Sequence, residues 1–195
     1  MIDNKLKINI LRGALVAIAG TTAAAVGALW YRSRHSVPKG VEPLTPFELE
    51  RFLGKWYEIA RMDVRFERNL INTAADYQLS DEGVVSVLNT GYNVQKEKWE
   101  QARGALRFVG ESDTAAMEVS FFGPFFSGYN VVAIEGDYEY ALIVGRRTDI
   151  CWILSRTPDI PVDVQTKLLS KAMSIGVNIN NLSWIEQSGQ EPTEL

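Results

Sequence analysis

Tyr129-Asn130-Val131-Val132-Ala133-Ile134-Glu135-Gly136-Asp137-Tyr138-Glu139-Tyr140-Ala141-Leu142-Ile143-Val144 carries the pattern that decides the fold. Two runs rich in β-branched and aromatic residues, Tyr129–Ile134 and Tyr138–Val144, flank Glu135-Gly136-Asp137. A three-residue break centred on Gly between such runs reads as a hairpin. The same alternation extends outward in both directions. It predicts strands at Gly54–Arg61, Thr73–Ser80, Gly83–Asn89, Trp99–Val109, Ala115–Phe122 and Ile150–Ser155 as well. Breaks at Asp81-Glu82-Gly83, Asn89-Thr90-Gly91, Gly110–Asp113 and Gly145–Asp149 join most of them within hairpin reach. The exception is the long, charged stretch Met62–Asn72. Eight strands in meander order close into an antiparallel up-and-down barrel, which removes both exposed edges. A barrel of that size holds one small ligand. A β-sandwich is the alternative, but it needs crossing connections for which the chain shows no segment. The fold class is therefore all-β.

One helix follows the barrel. Val164, Leu168, Ala172 and Ile175 form a stripe along Pro161–Ile175. Pro161 suits its first turn, Asp163 the positive end of its dipole and Gly176 its C-terminal cap. The stripe should pack on the outside of the barrel. Asn181–Gln187 reads as a short last strand, and residues 189–195 as a tail.

Toward the N-terminus the charge changes sign. Residues 1–45 hold six Lys/Arg and two acids, net +4, and the remaining 14 basic and 22 acidic residues give −8. A basic segment, 1–12, precedes Gly13–Tyr31, 19 residues without a charge. A helix of that length comes close to spanning a hydrocarbon layer of about 30 Å. An uncleaved membrane anchor is the reading adopted. A cleaved signal peptide ending near Ala23-Ala24-Ala25 and a buried helix of a soluble domain are the alternatives. Trp30 and Tyr31 suit an interfacial position. Residues 32–45 form a linker, and Ser36–Pro46, with three prolines and Gly40, reads as an extended tether to a domain at 46–188. The only His, His35, flanks that tether as a solvated residue or a pH-sensitive one. One His and one Cys supply neither a disulfide nor a zinc cluster, so no metal or cofactor is expected. There is no basic excess to suggest nucleic acid.

Several segments carry a family resemblance. Gly54-Lys55-Trp56-Tyr57-Glu58-Ile59-Ala60-Arg61 resembles the first signature of the lipocalins, and Trp152-Ile153-Leu154-Ser155-Arg156-Thr157-Pro158 their last. Arg65-Phe66-Glu67-Arg68 and Ser120–Val131 resemble the bacterial lipocalins, an outer-membrane branch similar to apolipoprotein D. Gly136–Ala141 is only similar to the family's middle signature, and no role is carried over there. The resemblance covers about residues 46–188. It implies a lipocalin barrel with Arg156 lying across Trp56 at a closed end. Gly54, Trp56 and Arg156 are then structural, and Gly54 permits the bend that starts the strand.

Ligand contacts should come from inward positions. With Trp56 inward, strict alternation turns Glu58 and Ala60 inward too. Trp152 and Leu154 share the face of Arg156. Trp152 and Tyr77 match aromatics that line the pocket in apolipoprotein D-like members. Tyr129, Phe121 and Tyr140 are further candidates, with core packing as the alternative for each. Glu58 needs a partner if buried: either a polar head group of the ligand or a salt bridge to an Arg such as Arg61 or Arg103. Cys151, with no His in the body, reads as a buried, inert thiol.

The resemblance implies a non-enzymatic carrier or store of fatty acids and lysophospholipids at the bacterial cell envelope. The barrel would face the periplasm. The family suggests the outer membrane, but no Cys follows the apolar run to take a lipid, so a membrane helix is the expected attachment. An enzyme acting on a bound lipid and an envelope interaction module are the alternatives. The aromatics of Phe121-Phe122-Gly123-Pro124-Phe125-Phe126 would sit at an open rim, where they would touch a membrane, form a homodimer contact or fold under the rim. Arg65, Glu67 and Arg68 would form a lid or a solvated loop.

Overall fold

Gly54 starts the first strand with φ 87°, a left-handed backbone that side chains disfavour. From there the computed structural model, which describes residues 36–62, 69–80, 83–188 and 192, follows the alternating pattern. A short helix α1 (Leu49–Phe52) precedes β1 (Gly54–Met62), β2 (Leu70–Leu79), β3 (Val85–Asn93) and β4 (Lys98–Phe108). Then come β5 (Ala116–Phe122), β6 (Phe125–Glu135), β7 (Tyr140–Gly145) and β8 (Cys151–Ser155). Helix α2 (Val162–Ser174), a 3₁₀ turn (Ile179–Asn181) and β9 (Leu182–Trp184) end the fold. Every neighbouring pair is antiparallel, and β1 pairs with both β2 and β8, which closes an eight-stranded barrel. The expected leader helix at 13–31 and the lid residues Arg65, Glu67 and Arg68 lie outside the described residues.

Closure is direct over half the seam. Gly54 to Tyr57 pair with Tyr77 to Ala74, after which the two strands part. The C-terminal segment fills the gap: β9 pairs with Ala60–Met62. Beyond it, the Gln187 side-chain amide donates to the carbonyls of both Glu58 (2.8 Å) and Thr73 (2.9 Å). Backbone groups that would otherwise stand unpaired at the seam are thereby satisfied.

Two apolar layers result from the period of two. Trp56, Tyr77, Val85, Val87, Leu106, Met117, Val131, Ile143 and Leu154 pack inside the barrel. Ile59, Leu142, Val144, Cys151 and Ile153 face out and meet Val164, Leu168 and Ala172 of α2. The helix thus docks on the outer wall through its predicted stripe, and Pro161 caps it from just outside the first turn.

Two local expectations change. Asn89-Thr90-Gly91 is not a turn but the middle of β3. Gly91 is there for closeness: a Cβ would stand 2.8 Å from Thr73 Cγ2 of β2. Gly104 serves the same end inside the barrel, where a Cβ would lie 2.8 Å from the Phe121 ring. Finally, Ser36–Pro46 is not a free tether. Leu44 N–H donates to Val131 O (2.8 Å), Ala115 N–H to Leu44 O (2.9 Å) and Phe47 N–H to Asp113 O (2.8 Å), so this segment straps the outer wall.

Candidate functional site

One end of the barrel is plugged. Phe52 of α1 stacks on Trp56 (centroids 5.0 Å) and Tyr77 (5.3 Å), and Phe47 packs on Phe52 and Tyr138. The Arg156 guanidinium lies 3.8 Å from the Trp56 ring centroid. It donates to the carbonyls of Lys55 (2.8 Å), Arg51 (2.7 Å) and Tyr138 (3.2 Å). One cation therefore ties together α1, β1 and the β6–β7 turn. Burial lowers the pKa of that guanidinium, with the Tyr77 hydroxyl opposing it. The Trp56 indole N–H donates to Phe52 O at 2.7 Å. The plug residues Phe47 and Phe52 had a signal in the sequence. Leu49, Phe52 and Leu53, at i, i+3 and i+4, are spaced as the inner face of a short helix, with Phe47 just before it.

Above the plug an aromatic column rises along the inner wall. Tyr77 and Tyr129 share a hydrogen bond between hydroxyls at 2.6 Å, and Tyr129 stacks on Trp152 (6.2 Å, 30°). Burial raises the pKa of both phenols, so they are neutral hydroxyls at physiological pH. Leu154 and Phe121 line the same space. Glu58 faces it too, and Arg61 reaches its Oε1 at 3.0 Å while donating to Leu70 O at 3.1 Å. Desolvation pushes the Glu58 carboxyl above its ordinary value, and Arg61 and the Thr73 hydroxyl oppose that shift. Asn89, opposite inward-facing Ala75, holds a buried amide oxygen without a hydrogen-bond partner among the described residues.

Ala60 and Tyr140 do not join this lining. A bulge between Glu58 and Ala60, where β1 runs beside β8, turns Ala60 outward to the α2 layer. Arg61 takes the inward place instead, and it is the partner of Glu58 that the exposed Arg103 is not. Tyr140 also faces the outer layer, because the inward residues of β7 are Ala141 and Ile143. Cys151 sits under α2, where burial pushes its thiol up to about 12. It is not a thiolate at neutral pH, so it lacks the nucleophile's charge state.

A meander barrel closed at one end by a cation–π plug and lined above it by aromatics has the shape of a cup. The matched family model is the lipocalin-like domain, over residues 47–187. The outer membrane lipoprotein Blc of Citrobacter freundii is 44% identical over 175 residues, covering 90% of this chain and 98% of that protein. Apolipoprotein D of Mus musculus is 30% identical over 183 residues, covering 89% and 93%. Among solved structures, the cockroach allergen Per a 4 superposes with a TM-score of 0.63 at 19% identity, covering 79% of this chain and 96% of that one. The chain belongs to the lipocalin family, whose barrels bind small lipophilic ligands.

Proposed function

We propose that this lipocalin carries or stores fatty acids or lysophospholipids at the bacterial cell envelope. The membrane would hold it through its N-terminal apolar segment, with the barrel on the periplasmic side. The carrying observation is the two-part lining of the cup. Tyr129, Trp152, Leu154 and Phe121 offer apolar surface, while Glu58, Arg61 and the unpartnered Asn89 amide oxygen offer polar groups within the same barrel. An acyl chain with a polar end matches both halves. The resemblance to an outer membrane lipoprotein supports the envelope setting.

Acyl burial contributes about 0.8 kcal/mol per methylene. Lengthening a saturated lysophospholipid by two methylenes should therefore tighten binding about tenfold, until the cup is full. Tryptophan quenching on titration checks this, since Trp152 lines the cup. Trp152→Ala should weaken binding and remove most of the quenching. Equal affinity across chain lengths, or quenching unchanged in Trp152→Ala, would overturn the reading. Native mass spectrometry of the detergent-extracted protein reports the bound lipid and whether a homodimer forms.

A further inference from the structure

The strap along the outer wall has a direction. Ser36, its first described residue, is buried against the outer wall, beside the middle of β6 and the last residue of β7. Its carbonyl accepts from Asn130 Nδ2 at 2.8 Å, and its hydroxyl donates to Glu118 at 3.3 Å. Asn130 is fully buried, and its amide also reaches Val144 O (3.1 Å) and Gly145 O (3.3 Å) at the mouth end of β7. Gly128 leaves the seat: a Cβ there would stand 2.1 Å from Ser36 O. From this point the chain descends to Leu44, then to Phe47 beside Asp113 in the closed-end β4–β5 turn. The described chain thus begins beside the mouth end of β7, next to the β7–β8 turn.

That starting point fixes a distance. The uncharged run Gly13–Tyr31 ends five residues before Ser36. Five residues span at most about 18 Å even when fully extended. If that run sits in a bilayer, Ser36 is held within that distance of its end, with the rim a few residues away along β6. β4 and β6, of 11 residues each, make the barrel about 35 Å long at most. With the rim held there, the closed end can stand up to about 35 Å from the bilayer.

The chemistry of the two ends agrees with this orientation. At the mouth, the Gly123-Pro124 turn between β5 and β6 holds Phe122 and Phe125 out in solvent, at 76% and 78% exposure. Beside the strap, Lys39, Arg146 and Arg147 border an open hollow of about 410 Å³, with Asp149 paired to Arg147. Exposed aromatic rings and cations at one end of the barrel suit the boundary between anionic head groups and acyl chains. The closed end instead exposes Glu48, Glu50, Glu111, Asp113, Asp137 and Glu139.

We propose that the barrel docks mouth-down on an anionic bilayer, with Phe122 and Phe125 entering the interface and Lys39, Arg146 and Arg147 meeting lipid phosphates. A ligand then passes between bilayer and cup without crossing bulk water. This rests on the carrier reading above and adds an orientation and a docking surface to it.

The test uses the full chain in vesicles of phosphatidylcholine with about a quarter phosphatidylglycerol. Because Cys151 is buried, Pro124→Cys and Ser112→Cys each give one accessible thiol, at the mouth and at the closed end. Each is labelled with an environment-sensitive dye, and quenching by spin-labelled lipid is read. Mouth quenching should exceed closed-end quenching about threefold or more, and Lys39→Glu, Arg146→Glu and Arg147→Glu together should reduce it. Equal quenching, stronger quenching at residue 112, or failure of the chain to float with the vesicles would overturn the proposal. Lysophospholipid titration of the same labelled proteins in detergent separates the two ideas. Binding without mouth burial removes the docking surface alone, and mouth burial without binding removes the carrier reading alone.

Discussion

Trp56→Ala is expected to cost about 3–5 kcal/mol of stability, the range for deleting a fully buried large aromatic. Trp56 has 0% exposure and sits between the Phe52 ring and the Arg156 guanidinium. Removing it opens a void on one side of each and leaves the Phe52 carbonyl without its indole donor. Arg156→Met should cost less, because Trp56 keeps its packing on Phe52. Its three carbonyl partners would still lose a charged donor. The double variant should show a coupling of about 0.5–2 kcal/mol, the cation–π contribution between the two side chains. Urea unfolding of the four proteins measures it, with a lower midpoint and an unchanged slope for Trp56→Ala. Additive losses would show that the Trp–Arg stack is a packing neighbourhood rather than an interaction.

Of the plug, the Trp56–Arg156 pair was legible from sequence, while the part built by Phe47 and Phe52 was not read. The family resemblance implies Arg156 lying across Trp56 at the closed end, and the two side chains meet there. The upper cup was only partly legible, for a reason that lives at a single residue. Alternation from Trp56 places Ala60 inside and Arg61 outside. The bulge after Glu58 inserts one residue and exchanges the two. A one-residue slip reverses every later side chain of a strand. Nothing in Glu58-Ile59-Ala60-Arg61 marks the bulge, since it arises where β1 must meet β8. Gly91 misled in the opposite way: glycine usually signals a turn, but here it allows β2 and β3 to approach. The strap escaped for a third reason. Its prolines and Gly40 describe a chain without its own secondary structure. What pins it is a buried Asn130 nearly a hundred residues away, a contact visible only once the wall exists.

Arg61→Met is the second large expected effect, and its pH dependence is what distinguishes it. Arg61 is 2% exposed, and its guanidinium faces Glu58 at 3.0 Å inside the barrel. Removing one partner of a buried ion pair typically costs about 3–5 kcal/mol, because the other charge remains desolvated. The carboxyl of Glu58 already sits above the ordinary 4.5, as burial outweighs Arg61. For a carboxyl raised on folding, the native state holds its proton longer than the unfolded one. Its favourable contribution is complete below the unfolded value and is lost as pH rises through the folded value. Without Arg61 the folded value rises further, so the decline extends to higher pH. The penalty of Arg61→Met should therefore be largest near neutral pH and shrink as pH falls toward the ordinary carboxylate range and the carboxyl takes up its proton. Adding Glu58→Gln should recover part of the neutral-pH loss, because an amide carries no charge to bury. It would also flatten the pH slope. Urea midpoints for both variants across that range give the answer. A penalty that does not change with pH, and no recovery in the double variant, would show that Arg61 supports the mouth through Leu70 O and packing rather than through Glu58.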